Sequence, residues 1–274
     1  MKYCLKYTNR TLHLGDADEI TIKYIEDKGL VDFLKKYQDK RINLSITADA
    51  FSQIEVNKLI AIHTQYPDLD FAVALDKYFK PLMDTFRLNE IKYYLAEPCQ
   101  DWETFWHLAT DCKVSDINLS GALGFELTKA KRCLEKVNPN CQIRVTPNKV
   151  QSQTTYIHPL QMFFIRPDDI DLYENYVDVI EFEGLEHQDT FYDLYVNQKT
   201  FIGKVSQMIY NFKLPFDNLG LSDRFGERRI DCGRECLYGG RCQRCFTLAQ
   251  VSEKIGTSVR EKIKENLEKS IGDN

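Results

Sequence analysis

The sequence predicts one α/β domain closed as a (β/α)8, TIM-like barrel, followed by a cysteine-rich tail built to bind a metal or a cluster. Three observations predict it. Short β-branched runs alternate with stretches of helical periodicity over the first three-quarters of the chain, eight such runs can be counted, and no Pro-, Gly- or Ser-rich linker divides the 274 residues. Strands that alternate with helices pair in parallel through right-handed crossovers, and eight of them suggest closure. An open doubly wound sheet is the alternative, but the glycine-rich turn after the first strand that favours it is missing.

The strand candidates are residues 19–24, 41–47, 70–75, 91–96, 116–120, 142–146, 162–166 and 179–183. Helical periodicity fills the intervals at 30–37, 52–65, 78–88, 102–112 and 126–137, with a short helix at 168–176 and a long one at 189–212. Between the sixth and seventh strands, 148–160 carries no clear helix. Ser52 followed three residues later by Glu55 is a capping box, and Asp101 caps the helix that begins at Trp102. The barrel is assigned to residues 1–216, and the cysteine-rich tail with a C-terminal helix to 217–274.

Cys232, Cys236, Cys242 and Cys245 form the tail's centre, with Gly239 and Gly240 allowing a tight turn between the pairs. Four thiolates at this spacing suit an iron-sulfur cluster or a zinc ion, with two disulfides as a further reading. The chain opens with no secretory apolar segment and its other cysteines are scattered, which favours metal and a cytoplasmic location. Cys99 is a candidate fifth thiol, with a buried structural role as the alternative.

A formal net charge of -5 argues against a protein that coats nucleic acid or an anionic membrane non-specifically, and no apolar run reaches membrane-spanning length. Nothing points to DNA. Around the cysteines, however, Arg224, Arg228, Arg229, Arg234, Arg241 and Arg244 outnumber Asp223, Glu227, Asp231 and Glu235, with Tyr238 and Phe246 nearby. That excess makes RNA a candidate partner through phosphate contacts and base stacking; pairing of the arginines with the interleaved acids is the alternative.

In a barrel of this kind the chemistry lies where strands end and loops begin. The residues there are Asp49, Asp76, Lys77, Glu97, Cys99, Ser120, Asn148, Lys149, Arg166, Asp168 and Glu183. Most residues of this type cap helices or solvate loops, and Asp168 and Asp169 after Pro167 fit a helix cap. Glu181 and Glu183 alternate with Ile180 and Phe182, so both carboxylates should face the barrel interior and need a partner such as Arg144 or Arg166, or a ligand. Arg166, Glu183 and Glu97 are therefore the candidate catalytic set, with Arg166 holding an anionic substrate group and the glutamates orienting it or moving a proton. His13, His63, His107, His158 and His187 show no pair at a helical metal spacing, with packing the expected role of His63 and His107, and there is no nucleophile elbow, phosphate loop or zinc-protease helix.

The run Phe163-Phe164-Ile165-Arg166-Pro167-Asp168-Asp169-Ile170, then Tyr173 and Val179-Ile180-Glu181-Phe182-Glu183-Gly184, resembles the late strand-helix-strand unit of the collagenase-like peptidase U-32 family. Tyr195 matches a tyrosine in that family's next helix, and Asp217-Asn218 precedes the cysteines as in relatives with a cysteine tail. The chain departs from the family pattern at Glu181, Leu185 and Val145-Thr146-Pro147-Asn148. The resemblance implies a barrel with a cluster or zinc on the four cysteines, acting as an oxygen-independent hydroxylase or another modifier of RNA or an anionic small molecule. A metal-dependent peptidase and a non-catalytic, zinc-stabilised binding protein are the alternatives.

Overall fold

A computed structural model of the chain describes residues 1–7, 11, 13–24, 29–99, 101–119, 126–147, 165–182, 187–200, 230 and 232. Eight strands form a closed barrel in chain order: β1 (Lys2–Lys6), β2 (Glu19–Lys23), β3 (Arg41–Ile46), β4 (Phe71–Leu75), β5 (Lys92–Leu95), β6 (Asp116–Asn118), β7 (Gln142–Val145) and β8 (Val179–Glu181). Every neighbouring pair is parallel, and β1 closes the ring by pairing with both β2 and β8. Closure leaves no strand edge open.

Two strand assignments differ from expectation. The barrel starts at β1, a segment whose only apolar residues, Tyr3-Cys4-Leu5, are flanked by lysines and make too short an alternation to stand out. Conversely, Ile165 and Arg166, the described end of the strand predicted at 162–166, are not in a barrel strand, and Val145 of β7 pairs directly with Ile180 of β8. Ile165 donates one backbone bond to Pro147 O at 3.2 Å, and Pro167 then starts a 3-10 helix over Pro167–Tyr173. Arg166 is extended (φ -80, ψ 152) because a residue before proline is pushed out of the helical region, which explains its strand-like appearance in the sequence. Residues 162–164 lie outside the description.

The helices are α1 (Gly29–Lys36), α2 (Gln53–Gln65), α3 (Lys80–Leu88), α4 (Trp102–Trp106), α5 (Leu127–Val137) and α6 (Gln188–Tyr192). Both α4 and α6 widen into π-helices, over His107–Cys112 and Asp193–Gln198. Each ends on a lysine in the left-handed region, Lys113 at φ 53 and Lys199 at φ 52. The long helix expected over 189–212 therefore stops at Gln198, and residues 201–212 lie outside the description. Of the segment assigned as a cysteine-rich tail only Ile230 and Cys232 are described, and Ile230 belongs to the main apolar core.

Alternate strand residues face out to the helices and in to the barrel axis. The outward set, including Leu5, Ile20, Leu44, Val73, Ile143 and Ile180, joins helix residues such as Leu34, Leu59, Phe86, Phe105 and Leu134 in one buried core. The inward set is small or polar: Cys4, Glu19, Asn43, Ala72, Tyr94, Asp116 and Arg144 are all buried.

The capping box forms as its sequence predicts, Glu55 N donating to Ser52 Oγ at 3.3 Å and Ser52 N to a Glu55 carboxylate oxygen at 2.6 Å. Asp101 likewise caps α4 by accepting from Thr104 N at 2.7 Å. Replacing Ser52 by alanine should cost about 1 kcal/mol. A urea titration reads this as a lower midpoint with an unchanged slope; an unmoved midpoint would mean the exposed box contributes nothing.

Candidate functional site

Five strands deliver charge to the middle of the barrel. Arg144 of β7 donates through Nη2 to Glu19 Oε2 at 2.5 Å, lies 3.5 Å from Asp116 Oδ1, and reaches Glu181 Oε2 through Nη1 at 3.4 Å. Arg41 of β3 forks onto both oxygens of Asp116 and also donates to Gln142 Oε1 at 3.2 Å and Ser115 Oγ at 3.1 Å. Asn43 Nδ2 donates to Glu19 Oε2 at 3.0 Å. The centre of the Tyr94 ring lies 4.8 Å from the Arg144 guanidinium carbon and 5.9 Å from that of Arg41, two cation-π contacts in the barrel interior. Lys6, 3.9 Å from Glu181, adds a third cation beside the three carboxylates.

Burial alone would raise the Asp116 carboxyl, but Arg41 and Arg144 outweigh it and hold the group below its ordinary value. Burial likewise works against the charge on Arg144, but the Asp116 and Glu19 carboxylates oppose it and the guanidinium stays charged. Burial pushes the Cys4 thiol up to about 12 and the Tyr94 phenol well above its usual range. Both stay protonated near neutral pH. Glu19 Oε1, Arg41 Nε, Asn43 Oδ1 and Arg144 Nε make no hydrogen bond with the described residues, so among these the layer keeps unspent hydrogen-bonding capacity.

At the C-terminal ends of β1 to β4 a pocket of about 510 Å³ opens at the barrel mouth. Two lysines, Lys6 and Lys23, and the acid Glu55 line it together with Thr21, Ser45 and Thr47, and Tyr7, Tyr24 and Phe51 supply aromatic walls. Tyr24 and Phe51 are held edge to face at 4.9 Å. The end of β1 is clamped by buried Gln188, which accepts from Lys6 N at 2.9 Å and donates to Lys6 O at 2.6 Å. Asp76 also lines the pocket and accepts from Ala48 N at 2.8 Å, which fixes the turn after β3.

The residues expected at the rim divide. Glu181 faces inward and pairs with Arg144, as its alternation requires. Arg166 is buried and held by Asp169, through Nε to Oδ2 at 2.5 Å and Nη2 to Oδ1 at 2.6 Å. Asp169 thus acts as the counterion of Arg166 rather than as a helix-capping carboxylate. Tyr195, fully buried against Phe182, donates its hydroxyl to Ile165 O at 2.6 Å and so anchors the same stretch. Glu97 is exposed, and Asp49 pairs with Lys77 on the surface. Burial pushes the Cys99 thiol up to about 12, and the thiol donates to Asp101 O at 3.4 Å, which fits the structural alternative for this cysteine. Glu183, Ser120, Asn148, Lys149, Cys236, Cys242 and Cys245 lie outside the described residues; Cys232 is half-buried. Among the described residues no three His, Cys, Asp or Glu side chains converge as metal ligands.

The charged layer of Glu19, Arg41 and Asp116 was not anticipated. Its signal was present as polar residues at alternate positions of otherwise apolar strands, Glu19 before Ile20 and Ile22, and Arg41 before Ile42 and Leu44.

Fold and site together define a closed, all-parallel eight-stranded α/β barrel with a charged interior and a mixed-charge, aromatic-walled mouth. No family model matches the chain and no curated protein matches it.

Proposed function

We propose that the barrel binds an anionic substrate at its mouth, a small molecule or a segment of RNA, and modifies it with the help of a four-cysteine iron-sulfur centre, in the manner of an oxygen-independent hydroxylase. The observation that carries the reading is the mouth pocket, where Lys6 and Lys23 offer charge to a phosphate or carboxylate and Tyr24 and Phe51 offer faces to a ring. Thr21, Ser45 and Thr47 add hydroxyls able to orient the polar edge of such a ligand.

Cys232, Cys236, Cys242 and Cys245 would hold the centre, and a four-thiolate donor set suits a cluster or a zinc ion equally in number. An iron-sulfur cluster supplies one-electron redox chemistry, whereas zinc in such a set supplies a structural tie. Ile230, packed in the barrel core two residues before Cys232, supports a centre carried close to the barrel. A second reading, a zinc-stabilised binding protein without catalysis, draws support from the interior carboxylates, since Glu19, Asp116 and Glu181 are each engaged by arginine.

Anaerobic purification with metal analysis and a visible spectrum separates the two. Brown protein carrying iron and sulfide is the expected result, and replacing Cys232 by serine should bleach it while leaving the far-ultraviolet dichroism of the barrel in place. Colourless protein with one zinc supports the second reading. A chain that binds neither overturns both.

A further inference from the structure

Away from the mouth, the groove between α3 and the π-helical end of α4 gathers a nucleophile, a base and an orienting acid. His107 Nδ1 lies 2.9 Å from Asp111 Oδ2, and His107 Nε2 lies 3.4 Å from Cys112 Sγ. A regular α-helix places residues five apart on different faces; the wider turn of the π-helix over His107–Cys112 brings the thiol back beneath the imidazole. Asp111 is itself held, its second oxygen accepting from Thr110 Oγ1 at 3.2 Å. A carboxylate that accepts from Nδ1–H fixes the imidazole tautomer whose Nε2 carries the lone pair, and this is the nitrogen that faces the sulfur. Tyr78 presents its hydroxyl to the same Nε2 at 3.2 Å.

The groove is reachable from solvent, with the His107 side chain 43% exposed and Cys112 half-buried. The charges that act on the thiol are Asp111 and, from α3, Lys80, Asp84 and Arg87; Tyr78 also hydrogen-bonds Cys112, and Tyr93 of β5 donates its hydroxyl to the Cys112 carbonyl. Burial pushes the Cys112 thiol up, so it rests protonated and its reactivity depends on the neighbouring base.

We propose that Cys112 is a nucleophilic thiol served by His107 as general base and Asp111 as positioning residue, and that it is a site of exchange with low-molecular-weight disulfides. In this step the Cys112 S–H proton passes to His107 Nε2 as the sulfur attacks one sulfur of the disulfide. The S–S bond of the small molecule breaks as the new one forms, and the departing thiolate takes up the proton. The disulfide is the oxidant, and one free thiol leaves for each mixed disulfide made.

The test uses the full chain and oxidised glutathione at neutral pH, with each cysteine followed separately by peptide mass spectrometry. Cys133 on α5, also half-buried, is the internal reference. Cys112 should be modified about a hundredfold faster than Cys133, the lower end of a general-base contribution. His107→Gln should bring Cys112 down to the reference rate, with circular dichroism checking the fold. Asp111→Asn, at an exposed position, should slow it in part and serves as the second variant if His107→Gln perturbs folding. Modification of Cys112 no faster than that of Cys133, or a rate unchanged in both variants, overturns the proposal.

Discussion

Replacing Arg144 by methionine should lower the unfolding free energy by about 3–5 kcal/mol, among the largest losses expected from any single substitution in the barrel. Arg144 is fully buried and touches carboxylates from three strands, Glu19 on β2, Asp116 on β6 and Glu181 on β8. Methionine fills much of the volume but leaves Glu19, itself fully buried, without its closest cation. The companion variant Glu19→Gln combined with Arg144→Met removes both members of the pair and should recover part of the loss, since an absent pair costs less than a broken one. The pH dependence follows from Asp116, whose folded carboxyl sits below its ordinary value. Its contribution is therefore present in full above the unfolded carboxylate range and is lost as pH falls through the depressed folded value. Wild-type stability should decline from roughly pH 4 downward, and Asp116→Asn should flatten that part of the profile. An Arg144→Met protein with an unchanged urea midpoint would mean that the carboxylates find other partners and that the network contributes little.

This layer also marks where sequence reading stops. Alternation within a strand is a local property, so the inward aim of Glu181 and its need for a partner such as Arg144 were legible. The convergence of Glu19, Arg41 and Asp116 was not, because each stands at the start of its strand and looks there like a solvated end. Only the barrel register, which sets Glu19 beside Cys4 on one side and Arg41 on the other, brings them to one level. The overall architecture survived two compensating errors. The three apolar residues of β1 were too few to register, while the extended backbone imposed on Arg166 by Pro167 looked like a strand, so the count of eight was right with one member exchanged. His107, expected to pack within its helix, instead pairs with Asp111 and Cys112, and the link to Cys112 was hidden because a spacing of five carries no meaning on an α-helix and acquires it only on a π-helix.

Asp169→Asn should be nearly as damaging as the loss of Arg144, and it decides what Arg166 is for. The sequence offered Arg166 as a fork for an anionic substrate, and the structure closes that fork on Asp169 through two short bonds in a place where both side chains are 3% exposed. Asparagine keeps the shape and removes the charge, so the guanidinium stays buried beside a neutral amide. The expected loss is about 3–5 kcal/mol, or roughly 10 °C in melting temperature for a chain of this size. The effect should spread locally, because Ile165, whose carbonyl accepts from Tyr195, directly precedes Arg166. Arg166→Met alone should be similarly destabilised, and the double variant should lose less than the sum of the two, which measures the coupling directly. A ligand-binding arginine behaves otherwise: freeing it from Asp169 would tighten binding of an anionic probe such as inorganic phosphate at little cost in stability. If Asp169→Asn melts within a degree of wild type and binds phosphate more strongly, Arg166 belongs to the substrate site; a clear loss of stability with phosphate binding unchanged makes it the structural tie between β7 and β8.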